Sequence, residues 1–157
     1  MTTLPPNSEL VAVAWLGTVT GMSPGMVATQ LPADQSAWSA NGFVTIGGGD
    51  GSGGAVIGGQ PNLYMPLRAP VLSVHCWAVT PGSAKPPWGK AAHLAELIVV
   101  GCYGETSMRR ALTLPGTYAD ARVNEAYPLN EPRRIPGDQS GYAHYQMDLQ
   151  LHWVALT

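Results

Sequence analysis

His144-Tyr145-Gln146-Met147-Asp148-Leu149-Gln150-Leu151-His152-Trp153 alternates polar and apolar residues over ten positions. Successive side chains of an extended chain point to opposite faces, so Tyr145, Met147, Leu149, Leu151 and Trp153 share one side. His144, Gln146, Asp148, Gln150 and His152 share the other. The spacing predicts a strand of roughly 33 Å at about 3.3 Å per residue, longer than most. A strand with one apolar face needs neighbours to pair with and a layer to cover that face.

Residues 71–79 supply the clearest neighbour. Leu72, Val74, Cys76 and Ala78 take one face and Ser73, His75 and Trp77 the other, and both faces are apolar enough to be at least partly covered. Two helices are predicted to form the covering layer. Residues 5–17 start with prolines and offer Asn7 or Ser8 as N-cap and Glu9 in the first turn. Leu10, Val11, Val13, Ala14, Trp15 and Leu16 then make the helix apolar nearly all round, so it needs burial on more than one side. Pro86-Pro87-Trp88 opens the second helix. There Ala91, Leu94, Ala95 and Ile98 form an apolar stripe, Lys90, His93 and Glu96 a wet side, and Gly101 is the expected stop. Residues 26–31 and 42–46 read as two short strands able to pair as a hairpin.

Two stretches resist this reading. Residues 47–60 are more than half glycine, which carries a high backbone entropy cost and predicts a flexible loop. Residues 104–141 form a Pro/Gly-punctuated excursion carrying Arg133 and Arg134. So long a structureless run is rare inside a domain, and part of it is expected to pair as strand or dock on a partner. The order is therefore α-β-β-β-α-β. It predicts an α+β fold with one mixed or antiparallel sheet of about four to five strands and two main helices packed on it. No internal repeat is present. The 157 residues are read as a single domain, 1–157.

Composition narrows the function. There are 19 glycines and 14 prolines, while charged residues are only 11% of the chain against roughly 25% in an ordinary domain. An exterior so poor in charge suggests cover by other subunits. The net charge of -2, with no basic run longer than Arg109-Arg110 or Arg133-Arg134, argues against binding nucleic acid through phosphate neutralisation. No secretory signal or membrane span is recognisable, so a soluble protein made in the cytosol is expected. Cys76 and Cys102 lack metal or redox spacing and are expected as buried thiols.

Motifs of chemistry fail on context. Gly49-x-Gly51-x-x-Gly54 matches a dinucleotide fingerprint, but no helix opens behind it and no acid lies about 20 residues on. No P-loop lysine follows. Gly49-Asp50-Gly51-Ser52-Gly53-Gly54 resembles a serine protease nucleophile segment with one glycine inserted, and no histidine precedes Ser52. His144, Asp148 and His152 share a strand face, but four residues span about 13 Å, too far for ligands about 2 Å from one ion. His75 reads as a hydrogen-bonded core or interface histidine. The carboxylates are scattered, and no general acid-base pair stands out. Neither a catalytic residue, a metal nor a cofactor is expected.

Leu63-Tyr64-Met65-Pro66-Leu67-Arg68-Ala69-Pro70-Val71-Leu72-Ser73-Val74-His75-Cys76-Trp77-Ala78, then Gly82-Ser83-Ala84-Lys85-Pro86-Pro87-Trp88-Gly89-Lys90-Ala91 and the helix after it, resembles tail terminator proteins of long-tailed (siphovirus) phages infecting actinobacteria. The closing strand fits that family as well, and the specific likeness lies within residues 62–100. The resemblance implies a structural virion protein without catalysis, assembled in the host cytoplasm. It implies a homo-oligomeric ring, typically a hexamer, that caps the tail tube and joins the tail to the head-side connector or stopper proteins. Its partners would be copies of itself, the tail tube protein and the connector. Double-stranded DNA would pass without specific binding, with Gln146, Asp148 and Gln150 as one possible lumen wall. Contacts with neighbouring subunits or rings are expected at Trp38, Gly49, Asp50, Ser52, Trp88, Arg133 and Arg134. The rival readings are another neck component, such as a head-completion or stopper protein, a small enzyme, and a small ligand-binding module using Trp38 and Trp88.

Overall fold

The computed structural model describes residues 4–48, 55–57, 67–104, 110–136 and 141–156. The long alternating run forms β9 (Ala143–Ala155), thirteen residues around which the sheet is organised. One side of β9 pairs antiparallel with β5 (Val71–Ala78), Leu72 opposite Leu149 and Ala78 opposite Ala143. Its other side pairs with β7 (Ala121–Pro128) and with β8 (Arg133–Arg134). Burial alternates along β5, with Leu72, Val74, Cys76 and Ala78 buried and Ser73, His75 and Trp77 half-buried.

Beyond β5 lies β2 (Phe43–Gly48), antiparallel to it, and then β1 (Val27–Ala28), which pairs with β2 in parallel. The hairpin expected between residues 26–31 and 42–46 does not form. The intervening loop, with the short 3₁₀ turn Gln35–Ala37, crosses back so that both strands run the same way. Part of the glycine-rich segment is strand: Ala55–Ile57 form β3, paired with β4 (Leu67–Ala69). Pro70, which has no amide to give a ladder, separates β4 from β5. Its carbonyl accepts from Leu151 N and from Gln150 Nε2, so β9 runs past the break. β2 and β3 lie in the same direction beside β5 and β4, as the two halves of one long hairpin arm.

Helix α1 (Ser8–Leu16) is capped by Asn7, whose Oδ1 accepts from Leu10 N at 2.8 Å. Ser8 instead accepts from Trp153 Nε1 at 3.1 Å and ties the helix to β9. Val11, Ala12, Trp15 and Leu16 are buried, while Leu10, Val13 and Ala14 remain partly exposed. Helix α2 (Trp88–Tyr103) buries Ala91, Leu94, Ala95, Ile98 and Cys102, the expected stripe extended by one turn. It does not stop at Gly101. A Cβ there would lie 2.7 Å from Val19 Cγ1, so the glycine lets the chain leaving α1 pack against α2. Both helices and the apolar sides of β2, β5, β7 and β9 enclose one core.

Among the described residues the sheet has nine strands, not four to five, and the order of elements has more strands than α-β-β-β-α-β allows. Four of the extra strands, β3, β4, β6 (Arg110–Leu112) and β8, have two or three residues, too few to show a period. The fifth, β7, lies inside the 104–141 excursion, where pairing was expected in part. Its register shifts between Val123 and Glu125, so the buried residues Val123 and Ala126 are three apart and the alternation is lost.

Candidate functional site

The face of the sheet turned away from the core carries a continuous chain of polar contacts. Arg133 Nε donates to Gln146 Oε1 at 2.7 Å. Arginine has no acceptor, so this contact orients the Gln146 amide, whose nitrogen donates to Ser73 Oγ and to Asp148 Oδ1, both at 2.9 Å. Ser73 Oγ shares a hydrogen bond with His75 Nε2 at 3.0 Å, and His75 Nδ1 shares one with His144 Nε2 at 2.6 Å, the donor at each contact being set by the imidazole tautomers. His144 stacks on Trp77 with ring centroids 3.8 Å apart, and Trp77 Nε1 donates to Thr45 Oγ1. Gln146 is only 5% exposed although it lies on the polar face, because its neighbours enclose it.

Burial first, and the neighbouring His75 second, push the His144 imidazole down to about 4. Burial also lowers His75, with the Asp148 carboxylate opposing and Arg133 reinforcing the shift. Both shifts favour the neutral imidazole at pH 7, and the N–H···N contact needs one of its two nitrogens to keep a lone pair. Ser73, His75 and His144 stand in the order of a nucleophile relay, which sequence reading missed because His75 and His144 are far apart in the chain. However, Ser73 pairs with Gly47 on one side and Asp148 on the other, so the amides around it are committed to ladders. An oxyanion formed there would find no free backbone donors. The network couples β2, β5, β8 and β9 instead.

His144, Asp148 and His152 each have separate partners. Asp148 Oδ2 accepts from Asn130 Nδ2, and His152 Nδ1 lies 3.2 Å from Glu125 Oε2. Among the described residues no three His, Cys, Asp or Glu side chains gather as a metal site, and no helix is long and apolar enough to cross a membrane.

Of the residues expected at contacts, the structure brings Trp88 and Arg134 together. Trp38 is 3% exposed, packed with Phe43 and Val79 against Tyr142, its Nε1 directed at the Pro32 carbonyl. The anchor expected there is used inside the chain, because the 3₁₀ turn folds the loop onto the sheet. Trp88 is half-buried. The Arg134 guanidinium lies 3.7 Å from its ring centroid, a cation–π contact that clips β8 to the start of α2. Arg133 and Arg134 are thus neighbours on β8 with different tasks, one on Gln146 and one on Trp88. Gly49, Asp50 and Ser52 lie outside the described residues.

Two apolar surfaces that sequence reading did not locate stand open. One is a groove of about 380 Å³ between the outer face of α1, through Leu10, Val13 and Ala14, and the chain leaving β6 at Thr113 and Pro115. Thr18, which lines the groove, accepts at Oγ1 from Arg110. The other is a patch of Val100, Tyr103 and Leu129, exposed by 67%, 74% and 49%. Tyr103 and Leu129 share a shallow cleft with Glu96 and Glu131.

Neither a family model nor a curated protein matches the chain. Among solved structures it is similar to a chain from the virion of a native gene transfer agent particle, with a TM-score of 0.47 and 11% identity. The match covers 94% of this chain and 87% of that one. A likeness at that level assigns neither family nor function.

Proposed function

We propose that this chain is a structural virion protein, a tail terminator whose copies close into a ring at the head-proximal end of a phage tail. In this reading it caps the tail tube, meets the connector or stopper proteins on its other side, and catalyses no reaction. The observation that carries self-assembly is the pair of unlike apolar surfaces, on α1 and at the end of α2, left open in a chain with so few charges. An isolated chain gains nothing from exposing them, whereas a subunit buries them against its neighbours. The terminator assignment rests on the resemblance at residues 63–91. The helix-free face joins the Arg133 guanidinium and the Asp148 carboxylate through Gln146, so its charges offset one another, which suits a conduit that DNA passes without being held.

Electron microscopy of intact particles, with the chain tagged, tests the proposal. Several copies around the tail axis at the head-proximal end of the tube are expected. Absence from the particle, or a position on the capsid side of the joint, would overturn it.

A further inference from the structure

We propose that His75 and His144 form one acid-sensing unit, which takes a first proton without opening and lets β5 and β9 part beside it on taking a second. The two rings meet across the strands with His75 Nδ1 and His144 Nε2 2.6 Å apart. They lie diagonal to a register that sets His75 opposite Gln146 and Trp77 opposite His144. Their separation is shorter than the roughly 2.9 Å of a neutral N–H···O bond and lies toward the range of charge-assisted ones. A contact so close fits a proton held between two imidazoles that together carry one charge.

Proton bookkeeping separates the two steps. Two neutral imidazoles have four ring nitrogens and two protons, one of them at the contact. With three protons both outer nitrogens are filled, and the remaining proton is shared between His75 Nδ1 and His144 Nε2, whichever tautomer came before. His75 Nε2–H then donates to Ser73 Oγ at 3.0 Å. That oxygen has two lone pairs, so it accepts from His75 and from the Gln146 amide together while its own proton turns away. The network keeps its contacts. A fourth proton fills the last lone pair at the contact, so two N–H groups meet head on and two charges repel.

The surroundings favour one charge over two. β9 brings the Asp148 carboxylate, which favours a charge on His75, and β8 brings the Arg133 guanidinium, which opposes it. The remaining neighbours, Ser73 and Trp77 on β5 and Thr45 on β2 beyond Trp77, are neutral. Trp77 lies against His144 with ring centroids 3.8 Å apart, so a charge shared with that ring gains a cation–π contact. Asp148 is the one carboxylate among the described residues that acts on the pair, and the first charge already draws on it.

The first step therefore changes the charge of the helix-free face, and the second changes its shape. The opening is local. It falls at the end of the sheet where Trp77 and Ala78 pair with His144 and Ala143, while Val74, Met147 and Leu149 stay packed in the core.

The test follows the imidazoles of the full chain by NMR from about pH 8 to about pH 4, where the two rings should respond together in two macroscopic steps. Exchange protection of the amides around Trp77 and His144 should persist through the first step. It should then weaken by up to about tenfold per pH unit as opening draws in the second proton. His144→Gln keeps a group that hydrogen-bonds His75 but takes no charge of its own. In that variant His75 should titrate in one step, with the protection kept down to about pH 4. Opening that coincides with the first proton, or rings that titrate independently of each other, overturns the proposal. So do rings that stay neutral until the whole chain melts, or a His144→Gln chain that opens at the same pH as wild type. A variant that fails to fold leaves the decision with the wild-type titration, in which the proton steps and the opening are read side by side.

Discussion

When His75 and His144 both carry a second proton, neither ring nitrogen at their contact keeps a lone pair, and the hydrogen bond between the two rings is lost. His144 titrates at about 4 in the folded chain and near 6.5 when unfolded, so the unfolded chain binds more protons between those values. The contribution to stability is therefore complete above about pH 6.5 and is lost as the pH falls toward 4. The urea midpoint of the wild type should drop as the pH is lowered from about 7 to about 4.5. His144→Gln, whose amide can accept from or donate to His75, should be less stable at neutral pH and lose less on acidification. Parallel slopes in the two titrations would show that other groups carry the acid sensitivity. Gly101 offers a steric test. Alanine there gains about 1 kcal/mol of helix propensity but overpacks by about 1–3 kcal/mol, because Val19 is stiff at χ1 and its Cγ1 would lie 2.7 Å from the new Cβ. Gly101→Ala should melt below wild type, and the double variant with Val19→Ala should be more stable than the two single losses add up to.

At the scale of elements, β9, β5 and α2 were readable because each repeats its pattern long enough to be seen. β9 alternates over its length, and α2 keeps Ala91, Leu94, Ala95 and Ile98 on one stripe. β7 was not readable, since its bulge breaks the period where it would have been recognised. The short strands β3 and β4 owe their existence to partners and not to propensity. Among the described residues β3 pairs only with β4 and ends the strand order, while β2, β5 and β9 hold one another. Removing residues 48–58 should therefore leave a chain with a cooperative melt and an intact core that assembles poorly. Complementation of a phage lacking the wild-type chain measures this, and full yields of infectious particles would exclude the arm from assembly.

At the scale of the whole molecule, the sequence by itself determined that a long two-faced strand must be covered by helices and that so few charges leave apolar surface exposed. It also determined where β5, β9 and α2 lie, because periodicity depends only on near neighbours along the chain. The tertiary structure alone decided how the polar faces are used. Strand register brings His75 to His144 and Ser73 to Gln146, and no local pattern encodes a register between segments some 70 residues apart. It likewise turned Trp38 inward, made Gly101 a packing glycine and left the α1 groove and the α2 patch open. Which apolar residues stay exposed is settled only after every segment has taken its partner, since burial is a property of the packed whole and not of any stretch of it.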